Sequence, residues 1–126
     1  MVKPVSLAKE KLRIYRDSAR RRWQAEEEEL NLFYEKVLDI GREAARILKS
    51  EYGAKRVAVF GSAVHRHLFH NRSDLDLAVW GLDEKQYYRA VSRLLQIDQS
   101  LSVDLIRVED ADPSLMELIE KEGVVL

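Results

Sequence analysis

Apolar positions follow two different periods along this chain, and the change falls near Gly53. From residue 6 to about Tyr52 they recur every three or four residues: Leu12, Tyr15, Ala19, Trp23 and Leu30, then Phe33, Val37, Ile40, Ala44 and Leu48. That spacing lays them along one face of an α-helix. The stretch contains no proline, its one glycine is Gly41, and Gly53 follows as a helix C-cap. The pattern predicts either one very long helix or two helices broken near Glu26 to Leu30. The second part, about residues 30 to 51, is expected to pack on a sheet, and the first to protrude. Beyond Gly53 the period shortens. Lys55 to Phe60 ends in the apolar run Val57-Ala58-Val59-Phe60, which suits a central strand covered on both faces. Asp74 to Trp80 alternates with period two, so Leu75, Leu77 and Val79 point one way while Asp74 and Asp76 point the other.

The rest of the chain continues as helix, strand, helix and strand. Asp83 caps a helix reaching about Ile97, with Val91, Leu94 and Leu95 inward and at least one of Tyr87 and Tyr88 in the core. Ser102 to Val108 reads as a third strand, and Asp112-Pro113 opens a last helix that ends at Gly123. Val124 to Leu126 adds a short edge strand. In the connection after the first strand, Leu68 and Phe69 are expected in a small core, and Ser73 is expected to tie the loop down by hydrogen bonding. The fold class is therefore α+β, with an α/β-type mixed sheet. Residues 1–29 form a long N-terminal helical extension, and residues 30–126 the domain proper.

Charge changes this picture locally rather than globally. The chain has 126 residues, a net charge of −1 and no cysteine. Overall charge therefore gives no argument for nucleic-acid binding, and thiolate metal sites and a disulfide scaffold are excluded. No apolar run approaches the roughly 20 residues of a membrane span, and the charged N-terminus does not resemble a signal peptide. The expected location is the cytoplasm. Residues 1–25 nevertheless carry eight basic residues against two acidic ones, and Glu26 to Glu29 then reverse the sign. A solvated helix face with arginine and glutamate paired at helical spacing explains this. So does a docking surface, and Tyr15 and Trp23 on the same stripe favour a protein partner, or a second copy of the chain, over RNA.

The candidate chemistry lies between residues 57 and 80. Two carboxylates projecting together from one strand face repel each other unless a cation sits between them. Asp74 and Asp76 are therefore candidate ligands of Mg²⁺, which takes oxygen donors and is usually held by one or two carboxylates plus substrate phosphates. Gly61-Ser62 ends the preceding strand. Glycine permits a tight turn and close approach of a phosphate, and a helix starting after Ser62 would add an anion site. By alternation Asp104 shares a face with Ile106, and it can meet Asp74 and Asp76 if its strand neighbours theirs. Arg66 and Arg72 are open to two readings, phosphate contact or solvated surface. His65, His67 and His70 read as a solvated loop or a phosphate contact rather than a transition-metal site.

Gly61-Ser62 followed by Asp74-x-Asp76 resembles the signature of the DNA polymerase β-like nucleotidyltransferase superfamily. The likeness is closest to the minimal nucleotidyltransferases that pair with HEPN-domain toxins. Eleven residues, Ala63 to Ser73, separate the two motifs, one more than the family's usual spacing. Val64-His65-Arg66-His67 stands where the family tends to carry Ala-Arg-Gly. Ser102 to Ile106 is similar to the strand bearing the family's third carboxylate, and Leu118 to Leu126 to its last helix and terminal strand. The resemblance implies a polymerase β-like nucleotidyltransferase fold and two Mg²⁺ ions held by Asp74, Asp76 and Asp104. It also implies ATP as substrate, with Gly61 and Ser62 (and Arg72 as a candidate) at its phosphates. The implied activity transfers AMP to a hydroxyl, a tyrosine's by expectation, of a HEPN-type ribonuclease toxin, which makes the chain its antitoxin. The rival reading is a non-catalytic antitoxin of the same fold that inhibits by binding. Transfer to a small molecule or to tRNA ranks third, because no acceptor-binding domain is evident.

Overall fold

In a computed structural model the chain is described for residues 5–126, with side chains from residue 7 onward. Among the described residues, three α-helices and four strands occur in the order α1 (Val5–Tyr52), β1 (Arg56–Phe60), β2 (Leu75–Trp80), α2 (Tyr87–Leu95), β3 (Val103–Arg107), α3 (Pro113–Glu122) and β4 (Val124–Val125). Short 3₁₀ turns at Gly61–Val64, Arg66–Leu68, Glu84–Gln86 and Val108–Asp110 join them. Of the two arrangements open to the N-terminal stretch, α1 adopts the continuous one. Two compact units are present, Met1–Phe33 and Tyr34–Leu126.

In the first unit the large apolar side chains of α1 face solvent: Leu12, Tyr15 and Trp23 are 54%, 66% and 70% exposed. The second unit holds the core. Its sheet runs β3-β2-β1-β4; β1 is antiparallel to β2 and to β4, and β2 is parallel to β3. This is the expected mixed sheet, with β1 and β2 inside and β3 and β4 at the edges. On one face Val57, Val59, Leu75, Leu77, Val79 and Leu105 are buried, together with Val37, Ile40, Ala44 and Leu48 of α1 and Ala90 and Leu94 of α2. At Gly41 α1 packs on β2 at a distance where a Cβ would make ordinary contact with Leu75. The opposite face carries a smaller cluster: Phe60 and Ala78 of the sheet, Ile119 of α3, and Trp80, Ile106, Val108 and Leu115 packed around them.

The caps follow their chemistry. Gly53, at φ +68°, ends α1 in the left-handed region, and the Ala54 N–H returns to the Leu48 carbonyl at 3.0 Å. Asp112 caps α3 by accepting from the Leu115 N–H at 2.8 Å, with Pro113 in the first turn. Three expectations need correction. Asp83 caps a 3₁₀ turn, accepting from the Lys85 N–H, and α2 starts only at Tyr87. Leu95 is 41% exposed, because Leu94 and Leu95 are about 100° apart on a helix and only one of them can face the sheet. Leu68 is 56% exposed, at the close of a 3₁₀ turn, while its neighbour Phe69 is buried as expected.

Candidate active site

Backbone register brings the carboxylates together. Because β3 lies beside β2 in parallel, Asp104 is the register partner of Asp76. Across β1 the partner of Asp76 is Phe60, the residue before Gly61. The strand-end glycine, Asp76 and Asp104 therefore sit at the same end of three neighbouring strands, on the face that α3 covers farther along. Asp74 precedes β2 and is exposed. Burial raises the pKa of Asp76 to about 6, and the nearby charges of Asp104 and Asp74 push in the same direction. The structure thus places three acidic groups within electrostatic reach of one another, with the middle one half-buried.

Gly61 is required where it stands. Its φ is +75°, in the left-handed region, and a Cβ built on it would collide with Oδ2 of Asp76. The turn that follows, Gly61–Val64, is 3₁₀ rather than the start of an α-helix. Ser62 lies within it, half-buried, with its carbonyl accepting from the His65 N–H at 3.1 Å. The connection from there to β2 is pinned at several points. Ser73, the buried polar side chain of this region, accepts from the His70 N–H at 2.9 Å. The exposed Arg72 donates its backbone N–H to His70 Nδ1. His65 Nε2 lies 3.0 Å from Glu122 of α3.

Sequence reasoning missed the residue that fastens this loop from below. The Tyr34 hydroxyl donates to the Ala63 carbonyl at 3.1 Å. Its ring meets Phe69 edge-on, with centroids 5.0 Å apart, and the Arg66 guanidinium lies over it at 5.4 Å. Tyr34 lies four residues after Leu30 and three before Val37, on the helical stripe itself, so periodicity turns its ring inward, and it is the structure that shows its hydroxyl holding the loop. At least one of Tyr87 and Tyr88 was expected in the core, but neither is buried; Tyr87 is half-buried, and its hydroxyl donates to the Leu105 carbonyl at 2.6 Å, next to Asp104. Burial, followed by the Asp104 charge, raises its pKa. Tyr87, Tyr88, Leu105, Arg107, Asp110 and Leu115 help line a cavity of about 460 Å³ along the β3 edge. Tyr88 itself is 83% exposed.

The oxygen-only set of Asp74, Asp76 and Asp104 matches the donor preference of Mg²⁺ rather than of a thiolate- or imidazole-seeking metal. Among the described residues, no three His, Cys, Asp or Glu side chains are already gathered as a metal cluster.

A sequence profile of the family described as Polymerase beta, Nucleotidyltransferase matches residues 42–126. The chain belongs to this family. Its fold is shared with solved structures of minimal nucleotidyltransferase and toxin–antitoxin type. One, described as a candidate minimal nucleotidyltransferase, is 30% identical with a TM-score of 0.52, over 79% of this chain and 94% of that one. A second is a toxin–antitoxin with AMP-PNP, 22% identical with a TM-score of 0.55, over 66% of this chain and 69% of the other. A mutant MntA–HpeT toxin–antitoxin is 20% identical with a TM-score of 0.51, over 73% and 69%. No curated protein matches the chain significantly. Among the described residues, no helix is long and apolar enough to cross a membrane.

Proposed function

We propose that this nucleotidyltransferase-family chain is a Mg²⁺-dependent adenylyltransferase that moves AMP from ATP to a tyrosine hydroxyl of a HEPN-type ribonuclease toxin and so acts as its antitoxin. The observation that carries the reading is the pairing of Asp76 with Asp104 beside a glycine whose missing Cβ leaves room at the Asp76 carboxylate. The likeness to a toxin–antitoxin with AMP-PNP supports the nucleotide and the kind of partner.

In this reading Asp74, Asp76 and Asp104 hold two Mg²⁺ ions together with the substrate's phosphates, which fits a site where the protein supplies only part of the coordination shell. When bound, the metal supplies charge neutralisation of the phosphate oxygens. The other work falls to the chain. Gly61 and Ser62 face the phosphates at the strand end, and Arg72 on the neighbouring loop is a further phosphate contact. Asp104, at the edge strand, accepts the proton of the acceptor hydroxyl. The hydroxyl oxygen forms a bond to the α-phosphorus, the bond from that phosphorus to the bridging oxygen breaks, and pyrophosphate leaves. No covalent nucleophile of the enzyme takes part, so catalysis rests on positioning and charge stabilisation.

The second reading is a non-catalytic antitoxin that works by burial of its partner. The eleven-residue connection from Ala63 to Ser73 favours it. Intact-mass spectrometry separates the two. The protein and the product of the gene neighbouring its own are incubated with ATP and Mg²⁺, next to an Asp74→Ala/Asp76→Ala control. One or more adenylyl units added to the partner, and none in the control, is the expected result. A stable complex without any mass gain from any of the four nucleotides would instead establish inhibition by binding.

A further inference from the structure

The exposed half of α1 repeats its apolar residues in heptads. With Trp23 and Leu30 at position a, position d falls on Leu12, Ala19, Glu26 and Phe33, and the preceding a position is Arg16. Two charges of opposite sign, Arg16 and Glu26, therefore interrupt an otherwise apolar seam. Trp23 and Leu12 on that seam are 70% and 54% exposed. A charged residue at a seam position costs stability unless its partner across the seam answers it, and it then fixes register and orientation.

We infer that residues 12–30 of α1 form an antiparallel coiled coil with the same segment of a second copy, in the register where paired residue numbers add to 42. In that register each a position meets a d position of the other helix. Leu12 meets Leu30, the small Ala19 meets the large Trp23, and Arg16 meets Glu26, each twice by symmetry. Both interruptions of the seam are thus answered by each other. Sliding by one heptad sets Arg16 against Ala19 or against Phe33, leaving a charge without a partner. A parallel pairing stacks Arg16 on Arg16 and Glu26 on Glu26. Beside the seam, Arg13 faces Glu27 twice, while Arg20 faces Arg20 and Arg22 faces Arg22 once each. Four attractive contacts in all, counting Arg16 with Glu26, oppose two repulsive ones. The segment spans about 28 Å, long enough for four turns or more of seam. The inference does not depend on catalysis.

Sedimentation velocity on the full-length protein alone tests it. The wild type is expected to be dimeric; Arg16→Glu and Glu26→Arg, each of which places like charges in two layers, are expected to be monomeric. The double variant Arg16→Glu/Glu26→Arg is expected to recover the dimer. Because the chain has no cysteine, orientation can be read directly: Leu12→Cys protein mixed with Leu30→Cys protein should form a mixed disulfide under mild oxidation, and neither should form one by itself. A monomeric wild type, a dimer indifferent to the single charge reversals, or Leu12→Cys homodimers would overturn the inference. Assembly seen only when the HEPN-type protein is added would do the same, and would assign this helix face to that partner.

Discussion

Asp76 pays for its position in stability. An isolated aspartate in a strand is disfavoured, and this one is half-buried beside two like charges that, with burial, hold its pKa near 6. Its folded pKa lies above the ordinary value of 3.8, so the folded state binds the proton more tightly than the unfolded chain does. The associated stability is fully present below about pH 4, and it is lost as pH rises through 6. Asp76→Asn is therefore expected to stabilise the fold at neutral pH, by on the order of 1 kcal/mol once partial exposure is discounted. The gain should vanish below pH 4. Urea melts of both proteins at pH 3.5, 5 and 7.5 test this; an asparagine variant that is less stable than wild type at pH 7.5 would show that the carboxylate makes a favourable contact instead. The same variant should lose nucleotidyl transfer. A residue that costs stability and is needed for activity is what a site, rather than a structural element, is expected to contain.

Among the elements, the strands were readable and the connection between β1 and β2 was not. Period-two alternation placed Asp74 and Asp76 opposite Leu75 and Leu77, and it placed Asp104 on the face of Ile106, because a strand allows no other arrangement. Whether β3 lies beside β2 is a matter of topology, and it took the structure to bring Asp104 into register with Asp76. The connection has no period at all. Its form comes from individual hydrogen bonds, and of these only Ser73 announced itself, as a small polar residue next to a buried strand. Tyr34, Glu122 and the placement of Arg66 over an aromatic ring come from elements distant in sequence. Ser73→Ala removes the acceptor of the His70 N–H and is expected to cost about 1 kcal/mol. The loss should concentrate in the loop, so hydrogen exchange of residues 65–74 should speed up while β1 and β2 keep their protection. Uniform acceleration across the sheet would mean that the loop and the strands open together.

For the whole molecule, the division of labour between the two units can be tested by removing one. Every buried hydrophobic residue among those described lies at Val37 or later, and so do the four strands and the three carboxylates. The compact unit Tyr34–Leu126 includes Tyr34, the anchor of the β1–β2 connection. A chain starting at residue 34 therefore keeps the core intact. What it loses is local: a helix cut in mid-course exposes N–H groups without a cap, worth about 1 kcal/mol, and Tyr34 sits in the frayed first turn. Thermal unfolding followed by circular dichroism should show a cooperative transition lowered by several degrees, and an added N-cap serine before Tyr34 should recover much of the loss. Without the exposed heptads the truncated protein should also be monomeric. If it fails to fold even with the cap, the first unit supplies stability that burial in the second does not reveal, and the long helix is part of the domain rather than an extension of it.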